Sequence, residues 1–125
     1  MVLPVFLLII LAMFDVGRLI YTQNTIGNAA REAARIAIVN QDVDAIRDHA
    51  LGSMIALDPS ATQIDVTYSG AQCSPAMKIG CGVTVAISQP WGAITPLVGD
   101  LIGDMTLVAS TTMPVERVFS QAPPP

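Results

Sequence analysis

Two thiols, one imidazole and ten scattered carboxylates are the groups in this 125-residue chain with reactive chemistry to offer. Cys73 and Cys81 stand in a Gly/Pro/Ser-rich segment, GAQCSPAMKIGCG. Their spacing is not the C-x-x-C of a redox or zinc motif. His49 is the only histidine, so a zinc site lacks ligands. A disulfide closing a short loop is the favoured use of the pair, with two free thiols as the alternative. A disulfide would set this half of the chain outside the cytoplasm. His49 follows Arg47 and Asp48 and reads as a solvated-face residue. No two carboxylates are spaced as an acid/base couple, and no GxSxG, P-loop or dinucleotide fingerprint occurs. The expectation is a protein that is not an enzyme and holds no cofactor and no metal. The net charge is −4 and the six Lys and Arg form no cluster, which excludes nucleic acid as a partner.

The most informative charges are Asp15 and Arg18. They lie at i and i+3, so they can pair along one helix face. They also stand inside apolar sequence, where an isolated charge is costly and a partner is expected. Two readings stay open: an intrahelical pair at a membrane surface, or a pair between neighbouring copies that fixes their axial register.

The element that must position them is a long helix. Met1 to Phe14 is one apolar run, MVLPVFLLIILAMF, and it continues without a turn signal into DVGRLIYTQNTIGNAAREAARIAIV. Pro4 suits a first helical turn, and helix is expected from there to about Val39. Gly17 and Gly27 weaken it by about 1 kcal/mol each relative to Ala. At about 1.5 Å per residue the helix spans about 50 Å, longer than a small domain is wide, so one end should project. Hydrophobic residues make up 52% of the chain and charged ones 13%, against about a quarter charged in soluble domains. A membrane span needs about 20 apolar residues. The opening run reaches that length only if Asp15 and Arg18 sit near one edge, with Tyr21 as an interface anchor. No secretory signal is legible, since nothing basic precedes the run and Asp15 follows it directly. In the second half, Ile26, Ala30, Ala33, Ala37 and Val39 point inward and Arg31, Glu32 and Arg35 outward. Packing on the chain's own domain is favoured for this half over helix–helix contact between copies.

Asn40 or Asp42 is a candidate cap for a second helix. Val43, Ile46, Ala50, Leu51 and Met54 form its apolar face, and Asp58-Pro59 stops it. The period then changes to two. TQIDVTYS, CGVTVAISQP and MTLVASTTMP read as three strands of an antiparallel meander. The connection from Trp91 to Asp104 is too apolar for a free loop. Packing on its own sheet is one account. The other is contact with a neighbouring subunit through Trp91, Leu97, Val98, Leu101 and Ile102. The tail SQAPPP reads as exposed polyproline. The expected fold class is therefore α+β: a long N-terminal hydrophobic helix plus a second helix packed on a small three-stranded antiparallel sheet. The organisation is a hydrophobic membrane helix segment at 1–25, a head at 26–119 that includes the amphipathic half of the long helix, and a Pro-rich tail at 120–125.

The stretch VLPVFLLIILAMFDVGRLIYTQNTIGNAAREAARIA resembles the TadE-like pilins and pseudopilins of tight-adherence systems, relatives of type IV pilins. The residues that carry the likeness are Leu3-Pro4, Asp15, Gly17-Arg18, Tyr21 and Asn28-Ala29-Ala30-Arg31. The family commonly has a glutamate at the position of Asp15. It usually carries a basic leader and a glycine cleavage site upstream of the Leu-Pro. This sequence opens after that point, so either a different site is processed or the front is missing. The resemblance implies a pilin-like fold and a precursor held in the inner membrane until assembly machinery packs it into an extracellular filament of identical copies. Val2, Leu3, Val5, Phe6, Leu7, Leu8, Ile9, Ile10, Leu11, Met13 and Phe14 would then form the filament core. The alternatives are a low-copy minor pseudopilin that primes or tips a filament, and a single-pass anchored binding module.

Overall fold

The computed structural model describes residues 1–73 and 78–118. The expected Pro-rich tail at 120–125 lies outside the described residues. A single helix, α1 (Val2–Ala37), runs for 36 residues, about 54 Å at 1.5 Å per residue. Leu, Ile and Ala dominate it, and no proline interrupts it after the first turn. It closes where the Asn40 N–H donates to the Ile36 carbonyl at 2.8 Å. The Asn40 side chain then accepts from the Asp42 N–H. Of the two candidate caps, Asp42 is the one used: its carboxylate accepts from the Asp44 N–H at 3.1 Å and opens α2 (Val43–Ser53). This helix ends earlier than the Asp58-Pro59 stop. Gly52 and Ser53 are weak helix formers, and Ala56 turns the chain with a left-handed φ of 66°.

The three strands fall where the period of two places them: β1 (Gln63–Ser69), β2 (Gly82–Trp91) and β3 (Met105–Pro114). They form an antiparallel sheet in the order β1-β2-β3. Its register sets Val66 opposite Val85 and Val85 opposite Thr111. Alternation puts Ile64, Val83, Val85 and Ile87 on the inner face with Leu107, Ala109 and Met113. On the outer face the directly opposed Thr84 and Thr112 hydroxyls hydrogen-bond at 2.8 Å.

The head core forms where α1 lies on this sheet. Ile26, Ala29, Ala30, Ala33, Ala34 and Ala37 are fully buried there. Alanines on that stripe bring the helix backbone close to β2 and β3, and Ile46, Ala50 and Met54 of α2 complete the core. The buried stripe is broader than expected, gaining Ala29 and Ala34. It also ends sooner, because Val39 lies beyond the last helical turn and is 43% exposed. A disulfide joins Cys73 to Cys81, and Cys81 is buried in the same core. The end of the described chain is tied back to α1, with the Glu116 and Arg117 N–H groups donating to the Ile38 carbonyl at 3.1 and 3.0 Å.

The connection between β2 and β3 carries a third helix, α3 (Pro96–Ile102). This helix is not among the elements expected from the sequence. Nor does it pack on the sheet: Leu97, Leu101 and Ile102 are exposed.

Candidate functional site

The buried face of α1 does not begin at Ile26, the expected start of the head. Asp15 and Thr22 are already buried. The positions 15, 22, 26, 29, 30, 33, 34 and 37 repeat at helical spacing, so Asp15 stands on the same line as the alanines that face the sheet. It meets the start of the α3 excursion. One carboxylate oxygen accepts from the Ile94 N–H at 3.0 Å and the other from the Thr95 N–H at 2.9 Å. Thr95 is the N-cap of α3 and Pro96 its first residue, so the carboxylate fixes the point where that helix begins. Arg18 approaches the same carboxylate to 3.5 Å. Asp15 itself is 2% exposed. The two expected partners are thus brought together along the helix, but the shorter contacts come from a segment 79 and 80 residues away.

No sequence pattern near Asp15 points to Ile94 or Thr95. The one available signal is Thr-Pro at 95–96, which reads as a helix start.

Below Asp15 the helix has no cover from its own chain. The eleven residues from Val2 to Phe14 expected to form a filament core range from 37% exposed at Leu8 to 81% at Val2. On the side of α1 turned away from Asp15, a shallow groove of about 440 Å³ runs along Ile10, Met13, Phe14, Gly17, Arg18 and Tyr21. Nothing lies within 4 Å of where a Cβ on Gly17 would stand, so a second backbone can approach there. Just above, the Tyr21 hydroxyl donates to the Ile55 carbonyl at 3.0 Å and ties α1 to the turn after α2.

The other candidate positions separate. Leu97, Leu101 and Ile102 are exposed and Val98 is partly covered. Trp91 is not on that surface: it is 6% exposed, on the inner face of β2. His49 lies 3.5 Å from Glu32 on the solvated flank of α1 and α2. Among the described residues, no three His, Cys, Asp or Glu side chains gather as a metal would require.

Residues 1–35 match the family model for TadE-like proteins. The TadE-like segment takes in the free apolar turns, the groove, Asp15 with Arg18, and the alanine stripe as far as Ala34. No match is found among curated proteins or among solved structures. The helix is long and apolar enough to cross a membrane, and only 6% of its most apolar stretch is buried by the rest of the chain. That low burial separates it from the core helix of a soluble domain. The TadE-like segment and the uncovered helix together fit a Tad pilus-related protein and suggest a membrane or pilus association.

Proposed function

We propose that this chain is a structural subunit of an extracellular Tad-like filament, assembling through the free turns of α1, and that its mechanism is assembly rather than chemistry. The observation that carries the reading is the division of one helix. From Ile26 to Ala37 its apolar face is buried against the head, whereas the turns from Val2 to Phe14 are uncovered and exposure continues through Val16, Ile20 and Tyr21. Burying a Leu, Ile or Phe contributes about 1.5–3 kcal/mol. The eleven half-exposed side chains therefore represent on the order of 10 kcal/mol, the same scale as the roughly 4–15 kcal/mol lost on association.

The hydrophobic term holds the free turns out of water in a bilayer and in a filament alike, since lipid tails are as apolar as leucine. The choice between the two then rests on packing and charge. Gly17 lets another helix come close, and Arg18 remains half-exposed at the rim of the groove. Repetition of one head-to-tail contact generates an open helical array.

The test is electron microscopy of sheared surface material at side-chain resolution, with Arg18→Glu as the perturbation. The expected result is filaments built on α1 in the wild type, and a lower polymer yield with an intact head in the variant. Normal filament yield from Arg18→Glu would refute the role given to that charge. Absence of the chain from sheared filaments would refute the subunit reading.

A further inference from the structure

We infer that Ile94 and α3 form a foot that inserts into the lipid bilayer beside the transmembrane part of α1, held at its depth by Asp15. The inference rests on the membrane-held helix of the preceding section.

Among the exposed large apolar side chains of the head, which also include Val39, Ile79, Val108 and Val118, four stand together on one segment. Ile94, Leu97, Leu101 and Ile102 are between 48% and 84% exposed. All four stand on the excursion that the Asp15 carboxylate ties to α1 through the Ile94 and Thr95 N–H groups. Their apolar surface is therefore continuous with the uncovered turns of α1. Exposed Ile55 stands at the same end of the head, on the turn held by Tyr21.

The depth follows from the helix rise. Apolar exposure on α1 continues past Asp15 through Val16 and Ile20 to Tyr21. A tyrosine there marks the headgroup level. Asp15 then lies about 9 Å deeper at 1.5 Å per residue, inside a hydrocarbon core about 30 Å thick. A carboxylate at that depth requires donors, because no water is present to hydrogen-bond it. Its donors are the two N–H groups at the start of the foot and Arg18. The start of the excursion must therefore accompany Asp15 below the surface, and the exposed isoleucines and leucines of the excursion are what a lipid-facing segment carries. No Lys or Arg occurs between Trp91 and Asp104; Asp100 and Asp104 are exposed carboxylates and must stay at the headgroup level, so only the Ile94–Thr95 start of the excursion reaches the depth of Asp15. The contact is thus with acyl chains of zwitterionic lipid and not an electrostatic attraction to anionic headgroups.

The full-length protein is reconstituted in phosphatidylcholine vesicles whose acyl chains are brominated either near the headgroup or near the methyl end. Tryptophan is introduced singly as Leu101→Trp or Ile94→Trp in the foot, Ile10→Trp in α1, and Val108→Trp on the exposed face of β3. The signal of buried Trp91 is subtracted using the parent protein. The expected result is quenching of both foot positions by the shallow bromines, several-fold stronger than at Val108→Trp. Ile10→Trp, about 16 Å below Tyr21, should respond to the deep bromines. Foot positions quenched no more than Val108→Trp, while Ile10→Trp is quenched, would overturn the foot and leave the membrane-held helix standing. An unquenched Ile10→Trp would overturn both. Quenching at the foot that disappears as protein density in the vesicle rises would show a second copy covering α3, and would also overturn the inference.

Discussion

Replacing Asp15 by alanine removes both acceptors that hold the α3 excursion to α1. The two N–H donors lie at 3.0 and 2.9 Å, and hydrogen bonds to a charged group contribute about 1.5–3 kcal/mol each. The Arg18 contact is longer, at 3.5 Å, and its side chain is 49% exposed, which limits it to about 0–1 kcal/mol. The backbone donors therefore dominate, and Asp15→Ala should cost about 3–6 kcal/mol locally. The core of the head is built from other residues, so the loss should be confined to the excursion. Amide hydrogen exchange in detergent micelles reads this directly. The Ile94 and Thr95 amides should exchange on the order of a hundredfold faster or more, while Val83, Val85 and Ile87 in β2 keep their protection. Arg18→Ala should change the same two amides by less than about tenfold. An unchanged rate at Ile94 and Thr95 would refute the clamp. So would Arg18→Ala matching Asp15→Ala, because the ion pair would then outweigh the backbone bonds.

Three further outcomes are expected. Ala33→Leu should lower the unfolding midpoint by the equivalent of about 1–3 kcal/mol, because Ala33 is fully buried where α1 meets the sheet and extra methylenes have no room; thermal unfolding of the disulfide-intact protein checks this. Reducing Cys73–Cys81 should cost about 2–3 kcal/mol for a loop of this length, read from urea midpoints with and without reductant. The Tyr68 hydroxyl is buried without a hydrogen-bond partner among the described residues, and burial pushes its pKa above the ordinary value of 10.0. The neutral phenol is then the form the fold favours, so its contribution is present below about pH 10 and is lost as the pH rises through the folded pKa. Urea midpoints should fall above about pH 10 in the wild type and less steeply in Tyr68→Phe, which should be no less stable at neutral pH.

The strands were legible because one face is buried and the other is not. TQIDVTYS, CGVTVAISQP and MTLVASTTMP alternate, and each lies within a residue or two of an observed strand. The alanine-rich half of α1 was legible for the same reason at helical period. Val39 misleads because an apolar residue just past a helix end has no face to bury. The end of α2 depends on a left-handed turn at Ala56, and alanine carries no such signal. The α3 excursion mixes glycine, proline and leucine, so local propensity does not settle it. Its anchoring to Asp15 joins residues about 80 positions apart, a contact fixed by the packing of the whole head. Trp91 was open between packing and a surface role. Its phase on β2 matches Val83, Val85 and Ile87, which places it inward.

The return of the chain to Ile38 has a practical consequence. The Arg117 carbonyl also accepts from the Gln41 amide at 2.8 Å, so the last described residues are pinned at the corner between α1 and α2. That corner lies about 35 Å along the helix axis from Asp15. A fluorophore-binding peptide or affinity handle inserted directly after Val118 is therefore displayed at the pole of the head away from the uncovered turns of α1. The position is suited to labelling the protein while leaving the uncovered turns, the groove and α3 untouched.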